Sequence, residues 1–522
     1  MRPFPEAPFA TGRPPMRWRI PPIFRPRLTW KYLLSSTIAL YVVYCYIFSL
    51  PLFCNPLPMY SGPYSVGIID IEVPVAPRVV VDTARYKRSG KNAFEIETVL
   101  FSLYYPATQG RSDQSKHYWV DKPVSVTGKG YAKFAHVSNV VTDAVFTGAV
   151  RALVGGVEIP AKVDMPLADL APPISSHPDT EEDEQKEKVL VTEIQGYRVI
   201  VFSHGMASSR TDYTHYAGEL ASRGFIVAMI EHRDGSCPGS VISQDGESDQ
   251  RKFAFRMSEV ETTDGRKLEV DEFKRAQLNF REAEIEETVN VLRQINDGKG
   301  DEVFQSNSRK EGSQLSDWAG RLNINEMVMA GHSYGATGAL QALKNSPNER
   351  RPFVGGIVLD PGKQSGRLND DISVPIMVIH SNSWSSKHSL FYGSPHFSVV
   401  RELVEKNNDR GHPSWFVTSL GTSHPSVTDA PILEPTLLSW TTGAKIDVYE
   451  GLRQYVHVSE DFLCFLTQGE MRNLLAEKAE FPEFDSGKGF GKWKPSQGHE
   501  DEKDEWWDWR RYWQVHVSPN KG

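Results

Sequence analysis

From Gln195 onward, short continuous apolar runs alternate with longer stretches in which apolar residues return at helical spacing. Val199 to Phe202, Phe225 to Ile230, Met327 to Ala330, Val354 to Leu359, Pro375 to Ile379 and Trp415 to Ser419 are the runs. Strands covered by helices on both faces have this composition, because neither face meets water. Between the second and third runs, Leu278, Ile285, Val289 and Leu292 form one apolar stripe in a charge-rich segment, which predicts an amphipathic helix packed on the sheet. Ile446 to Leu466 predicts a closing helix. Alternation of this kind predicts an α/β fold, a mostly parallel central sheet flanked by helices.

The N-terminal pattern is different. Residues 1–31 are rich in Pro and Arg and read as disordered. Tyr32 to Leu50 then carries no charge, about the ~20 residues a bilayer-spanning helix requires, so a transmembrane anchor is expected over residues 32–53. Arg2, Arg13, Arg17, Arg19, Arg25, Arg27 and Lys31 precede it against Glu6 alone, and no Lys or Arg follows until Arg78. This asymmetry predicts a single-pass membrane protein with a cytosolic N-terminus and a lumenal or extracellular catalytic part. The long basic lead and the lack of a small-residue cleavage site speak against a removed signal peptide. The absence of any Asn-x-Ser/Thr acceptor speaks against the lumenal side.

A catalytic domain is expected over residues 60–470. Within it, the acidic stretch 175–188 reads as a solvated surface loop. Residues 484–522 form a polar tail in which Trp506, Trp507, Trp509, Tyr512 and Trp513 are expected to dock on the domain.

With 39% hydrophobic and 24% charged residues the chain is not disordered as a whole. A net charge of −8, without a basic stripe beyond the N-terminus, excludes a nucleic-acid footprint. Cys45, Cys54, Cys237 and Cys464 form no CxxC pair or Cys/His cluster, so neither a zinc site nor a disulfide framework is indicated. No metal and no cofactor are expected.

Gly331-His332-Ser333-Tyr334-Gly335 follows a predicted strand and precedes the helix-forming run Ala336 to Lys344. That is the strand, tight turn and helix of a nucleophile elbow, which makes the fold an α/β-hydrolase and Ser333 its nucleophile. Gly331 and Gly335 leave room for the elements that cross there. A serine hydroxyl needs a base to take its proton and a carboxylate to orient that base. In this fold they follow in the order acid, then histidine, on loops leaving the carboxyl ends of later strands. Asp360 ends the first strand after the elbow helix, the next strand has no carboxylate at its tip, and Asp370 and Asp371 lie at the opposite edge. Asp360 is therefore the acid. His424 sits in a small-residue loop after the last strand, whereas His380, His388, His396 and His412 precede that strand. For the oxyanion, the backbone amides expected are those of Tyr334, after the nucleophile, and Met206, after Gly205 in the loop leaving the first strand. Trp384, Leu390, Phe391 and Tyr392 follow a strand's carboxyl end and are candidate walls of an acyl pocket.

Several segments in order resemble the plasma-type and intracellular type II platelet-activating-factor acetylhydrolases: Gly62 to Gly67, Leu103 to Pro106, Phe202 to Gly205, Gly224 to Ala228, Glu231 to Asp234 and Gly331 to Ser333. The resemblance covers roughly residues 60–470. It implies a calcium-independent esterase that removes a short or oxidised acyl group from the sn-2 position of a phospholipid, with Ser333, Asp360 and His424 as its triad. Ala336 stands where the family often has glycine, and Pro361-Gly362 where an aromatic residue is common after the acid. Residues 137–154 lie where the family has a helix that rests on lipid surfaces, and an interfacial role and ordinary packing both fit their composition. A broader carboxylesterase or lipase, and a non-catalytic membrane adaptor on the same fold, are the alternatives.

Overall fold

All six predicted strands lie side by side in one sheet of the computed structural model, which describes residues 29–47, 53–110, 112, 116–169, 196–244, 248–486 and 511–520. The main strands are β1 (Ser65–Tyr86), β2 (Asn92–Ala107), β3 (Tyr197–Ser203), β4 (Ile226–Ile230), β5 (Leu322–His332), β6 (Phe353–Leu359), β7 (Ile376–Ser381), β8 (Trp415–Ser419) and β9 (Trp513–Val517). Their order across the sheet is β9-β8-β7-β6-β5-β3-β4-β2-β1. Every neighbouring pair from β4 to β8 is parallel, whereas β1, β2 and β9 join antiparallel. The carboxyl ends of β5, β6 and β8 therefore open on one rim, the rim on which an α/β sheet carries its chemistry.

Continuous apolar runs serve two faces at once because side chains alternate along a strand. In β3, Val199 and Val201 pack on one side with Ile285, Val289 and Leu292 of the helix α4 (Val270–Gln294), while Ile200 and Phe202 pack on the other with Tyr216 and Ala217. The same second face receives Phe462 and Leu463 of α7 (Val448–Gln468), the predicted closing helix. The remaining helices used below are α1 (Trp30–Ile47), α2 (Val124–Phe134), α3 (Val140–Leu153), α5 (Tyr334–Ala342) and α6 (His396–Asp409).

Two expectations change. First, the chain divides into two units, residues 1–52 and 53–522, and the first contains α1, an 18-residue helix. At 1.5 Å per residue it is roughly 27 Å long, and Ser35, Ser36, Thr37 and four tyrosines lower its apolarity. No helix among the described residues is long and apolar enough to cross a membrane. The anchor expected over 32–53 is thus not a spanning helix over its described part, and residues 48–52 lie outside the described residues. Second, the catalytic domain does not end near 470. Residues 513–517 of the expected tail form β9, paired with β8 and buried along its length. Trp513 donates its indole N–H to Gln454 Oε1 at 3.2 Å, so this aromatic does dock on the domain. Trp506, Trp507 and Trp509, the acidic stretch 175–188 and the N-terminal residues 1–28 lie outside the described residues.

Candidate active site

β5 runs straight into Ser333, and α5 starts at the next residue. To make that reversal Ser333 adopts φ 57° and ψ −117°, a conformation that costs a residue with a side chain on the order of 1–3 kcal/mol. Its amide is held by the Leu359 carbonyl at 2.9 Å. The flanking glycines are required sterically. A Cβ on Gly331 would lie 2.3 Å from the Gly335 carbonyl oxygen, and one on Gly335 would lie 1.9 Å from that of Ser203. The elbow is therefore closed so tightly against β3 that no side chain fits at either position, and only Ser333 projects.

Two distant loops bring their side chains into line with that hydroxyl. His424 Nε2 is 3.0 Å from Ser333 Oγ, and His424 Nδ1 is 2.8 Å from Asp360 Oδ2. Asp360 is 2% exposed, and it accepts further bonds from the Ser381 amide (2.6 Å, at Oδ1) and the Ser381 hydroxyl (2.7 Å, at Oδ2). Asp360 itself has φ 47°, so the chain turns sharply to aim the carboxylate at the imidazole. The His424 amide donates to Ser383 Oγ at 2.9 Å, which fixes the loop that carries the ring. Hydroxyl, imidazole and buried carboxylate are thus in line and within hydrogen-bond reach. This geometry lets the imidazole take a proton from the hydroxyl while the carboxylate holds the ring and balances its charge.

Residues 175–475, more than half of the chain, match the family model described as "Platelet-activating factor acetylhydrolase, isoform II". The chain belongs to this family. It is 26% identical over 337 residues to the platelet-activating factor acetylhydrolase of Cavia porcellus, covering 63% of this chain and 61% of that protein. It is 24% identical over 445 residues to a Schizosaccharomyces pombe protein named "Putative phospholipase A2", covering 78% of this chain and 91% of the other. A solved ferulic acid esterase from Streptomyces cinnamoneus is 16% identical and covers 81% of this chain and 96% of that one, with a TM-score of 0.45. The α/β-hydrolase architecture is carried by the strand order and the elbow.

Around the three central residues the family loop Ser203 to Met206 lies against the elbow. A Cβ on Gly205 would be 3.3 Å from Ser333 Cβ, the close approach expected of an oxyanion loop. Tyr334 is the first residue of α5, where helix geometry leaves the amide without an intrahelical acceptor. Tyr213, which the sequence reading missed, ties loop and elbow together. Its hydroxyl accepts from the Gly205 amide at 3.1 Å and lies 2.9 Å from His332 Nδ1. Burial, and the His424 ring 4.5 Å away, push His332 well below the usual imidazole range.

The four candidate acyl-pocket residues part company. Trp384 stacks on His424, with ring centres 4.0 Å apart. Phe391 is buried edge-on to His396. Leu390 is 79% exposed, and Tyr392 turns to Asp271 (2.8 Å) and Arg367. Leu390 and Phe391 lie in a hairpin with Ser394–Pro395, which sends alternate residues to opposite sides, whereas Trp384, before that hairpin, stacks on His424.

The motif Glu231 to Asp234 also gains a physical meaning. His232 Nε2 is 2.7 Å from Ser203 Oγ, and His232 Nδ1 is 2.6 Å from Glu284 Oε2, a second serine-histidine-acid line. All three are buried, so no substrate reaches them. Burial holds His232 well below the usual imidazole range and pushes Glu284 up to about 8. Arg281, fully buried, bonds Asp234 Oδ2 (2.8 Å), Ser203 Oγ (3.0 Å) and the His204 carbonyl (2.7 Å). Together these residues brace the loop that begins at Ser203. Partners this far apart in the chain left no local pattern to find.

As to metals, His332, Asp360 and His424 present ligand atoms within 4.8 Å of one another. The latter two are already committed to the line through Ser333.

Proposed function

We propose that the protein is a serine esterase that hydrolyses the sn-2 acetyl, short or oxidised acyl ester of glycerophospholipids. The observation that carries the reading is the line Ser333, His424 and Asp360 at 3.0 and 2.8 Å on a strained elbow, in a chain of this family. Ser333 Oγ attacks the ester carbonyl as His424 Nε2 takes its proton, and Asp360 stabilises the imidazolium. The amides of Met206 and Tyr334 receive the oxyanion, a reading supported by the Gly205 contact and the open end of α5. Collapse returns the proton to the leaving lysophospholipid. Water, deprotonated by the same imidazole, then releases the acid from the acyl-enzyme. Every proton-transfer step uses side chains of the protein.

The chain spans 61% of the length of the guinea-pig relative, and the substrate reading is supported by its membership of the family. A panel of phosphatidylcholines tests it. We expect kcat/KM to be at least ~10²-fold higher with an sn-2 acetyl than with an sn-2 palmitoyl chain, a difference on the order of 2.7 kcal/mol. Equal rates on both would favour a broad lipase.

Membrane contact belongs to the same proposal and is supported by α3. It has no buried residue, and Val140, Val141, Val145 and Leu153 are 88, 70, 62 and 51% exposed. An apolar helix face left in water suits a lipid surface. Replacing Val141 and Val145 by Asp in a chain starting at residue 53 is expected to weaken binding to phosphatidylcholine vesicles about 10-fold or more, each valine side chain being worth on the order of 1.5 kcal/mol when buried. Turnover of a water-soluble short ester should stay unchanged. Undiminished vesicle binding by the folded variant would remove α3 from the interface.

A further inference from the structure

The indole of Trp384 lies flat on the imidazole of His424, with planes 10° apart and centres 4.0 Å apart. The indole is itself fixed. Its Nε1–H donates to the Pro361 carbonyl at 3.1 Å, and its amide donates to Ser381 Oγ at 3.3 Å, the same hydroxyl that bonds Asp360. A second cation meets this indole, because the Lys363 ammonium lies 4.5 Å from the ring centre. It donates to the carbonyls of Trp384 (2.7 Å) and Lys387 (2.8 Å), which holds it in place.

Electrostatics gives these contacts opposite signs. An aromatic face attracts a cation, so the indole stabilises His424 more as imidazolium than as neutral ring. Lys363 draws on the same indole and, as a positive charge, disfavours a second one across that ring. The other titratable groups around the ring do not confuse the balance. Burial keeps His332 and His380 well below the usual imidazole range and His396 at about 3, and it keeps the Tyr455 hydroxyl protonated. Asp360, Lys363 and, behind Lys363, Lys387 are the charged groups that remain. Burial also pulls Lys363 down to about 8, partly offset by Asp360, so its charge is itself lost in mildly alkaline solution.

We propose that Trp384 is a positioning residue, which holds the plane of His424 and favours its protonated form, and that Lys363 opposes it through the same indole, the two together setting the acidic limit of activity. This rests on the esterase reading above. It deepens that reading by assigning work to two residues outside the line Ser333, His424 and Asp360.

The test is kcat and KM against pH with a water-soluble short ester, for the full chain and for Trp384→Leu, Trp384→Phe and Lys363→Gln, with fluorophosphonate labelling of Ser333 in each. Trp384→Leu should lower kcat roughly 10- to 100-fold with little change in KM, as expected when a base loses its alignment. Its acidic limb should move about 0.5 to 1 unit to lower pH, the worth of one lost cation–π contact. Trp384→Phe, which keeps a ring and carries the test should the leucine variant not fold, should move it less in the same direction. Lys363→Gln, which retains a donor for the two carbonyls, should move the limb about 0.5 unit to higher pH. Opposite shifts support the proposal, because loss of packing alone would not separate the two residues by sign. Unmoved limbs, or shifts of the same sign, in labelled and active protein overturn it. A folded wild-type chain that neither turns over esters nor labels at Ser333 overturns the esterase reading and this proposal with it.

Discussion

Ser333→Ala is expected to lower kcat on the acetyl phospholipid by about 10⁶-fold while leaving the fold intact, the scale seen when a hydrolase of this mechanism loses its nucleophile. Among the described residues the hydroxyl makes one side-chain hydrogen bond, with His424 Nε2 at 3.0 Å, and it lies on the solvent side of an elbow whose shape is set by Gly331, Gly335 and the Leu359 carbonyl. Removing it takes away the attacking atom and almost nothing else. Oxyanion donors and substrate binding would remain, so residual acceleration of roughly 10³-fold over water is expected. Rapid-quench measurements on wild type should show a burst of lysophospholipid that the variant lacks. A variant retaining more than about 1% of wild-type turnover would place the nucleophile elsewhere.

The second large effect is at Asp360. Both carboxylate oxygens are fully used: Oδ1 accepts the Ser381 amide, and Oδ2 accepts the Ser381 hydroxyl and the His424 Nδ1 proton. In Asp360→Asn one oxygen becomes an NH₂ group. It cannot face the Ser381 amide, itself an obligatory donor, so it takes the Oδ2 position and points at His424. The ring must then accept at Nδ1 and carry its proton on Nε2, the atom that has to receive the proton of Ser333. Turnover should fall about 10⁴-fold with an unchanged fold, as expected for a base held in the wrong tautomer. The measurement is kcat with the soluble ester beside the thermal midpoint. A loss below ~10-fold would show that another group orients the base.

Both variants concern residues legible in the chain itself. An elbow is a local object: strand, glycine, serine, glycine and helix are contiguous, so its steric logic is written in consecutive residues. Asp360 and His424 follow from strand order, since parallel strands must expose their carboxyl ends on the same rim. The central strands were equally legible, because β3 to β8, in β5 its second half from Met327, are buried on both faces and carry continuous apolar runs. Strands β1 and β2 were not. Ser65–Tyr86 contains Pro74 and Pro77, has register shifts after Pro74 and is largely exposed in its outer half, so the alternation Ile69-Asp70-Ile71-Glu72-Val73 is broken by prolines well before the strand ends. Nor was β9, whose residues are assigned to the sheet only by pairing with β8, nearly a hundred positions earlier in the chain.

What the sequence determined by itself is therefore the parallel core, the elbow and the order of Ser333, Asp360 and His424 along the sheet, because burial on two faces and a steric turn leave signals within a few neighbouring residues. The tertiary structure alone decided that β9 closes the sheet and that Glu231 to Asp234 belong to a buried brace. It alone decided that Trp384, and not Leu390 or Tyr392, reaches the imidazole. Those assignments depend on which distant side chains meet and at what angle. Such contacts are chosen by the packing of the whole domain, and no local pattern encodes them.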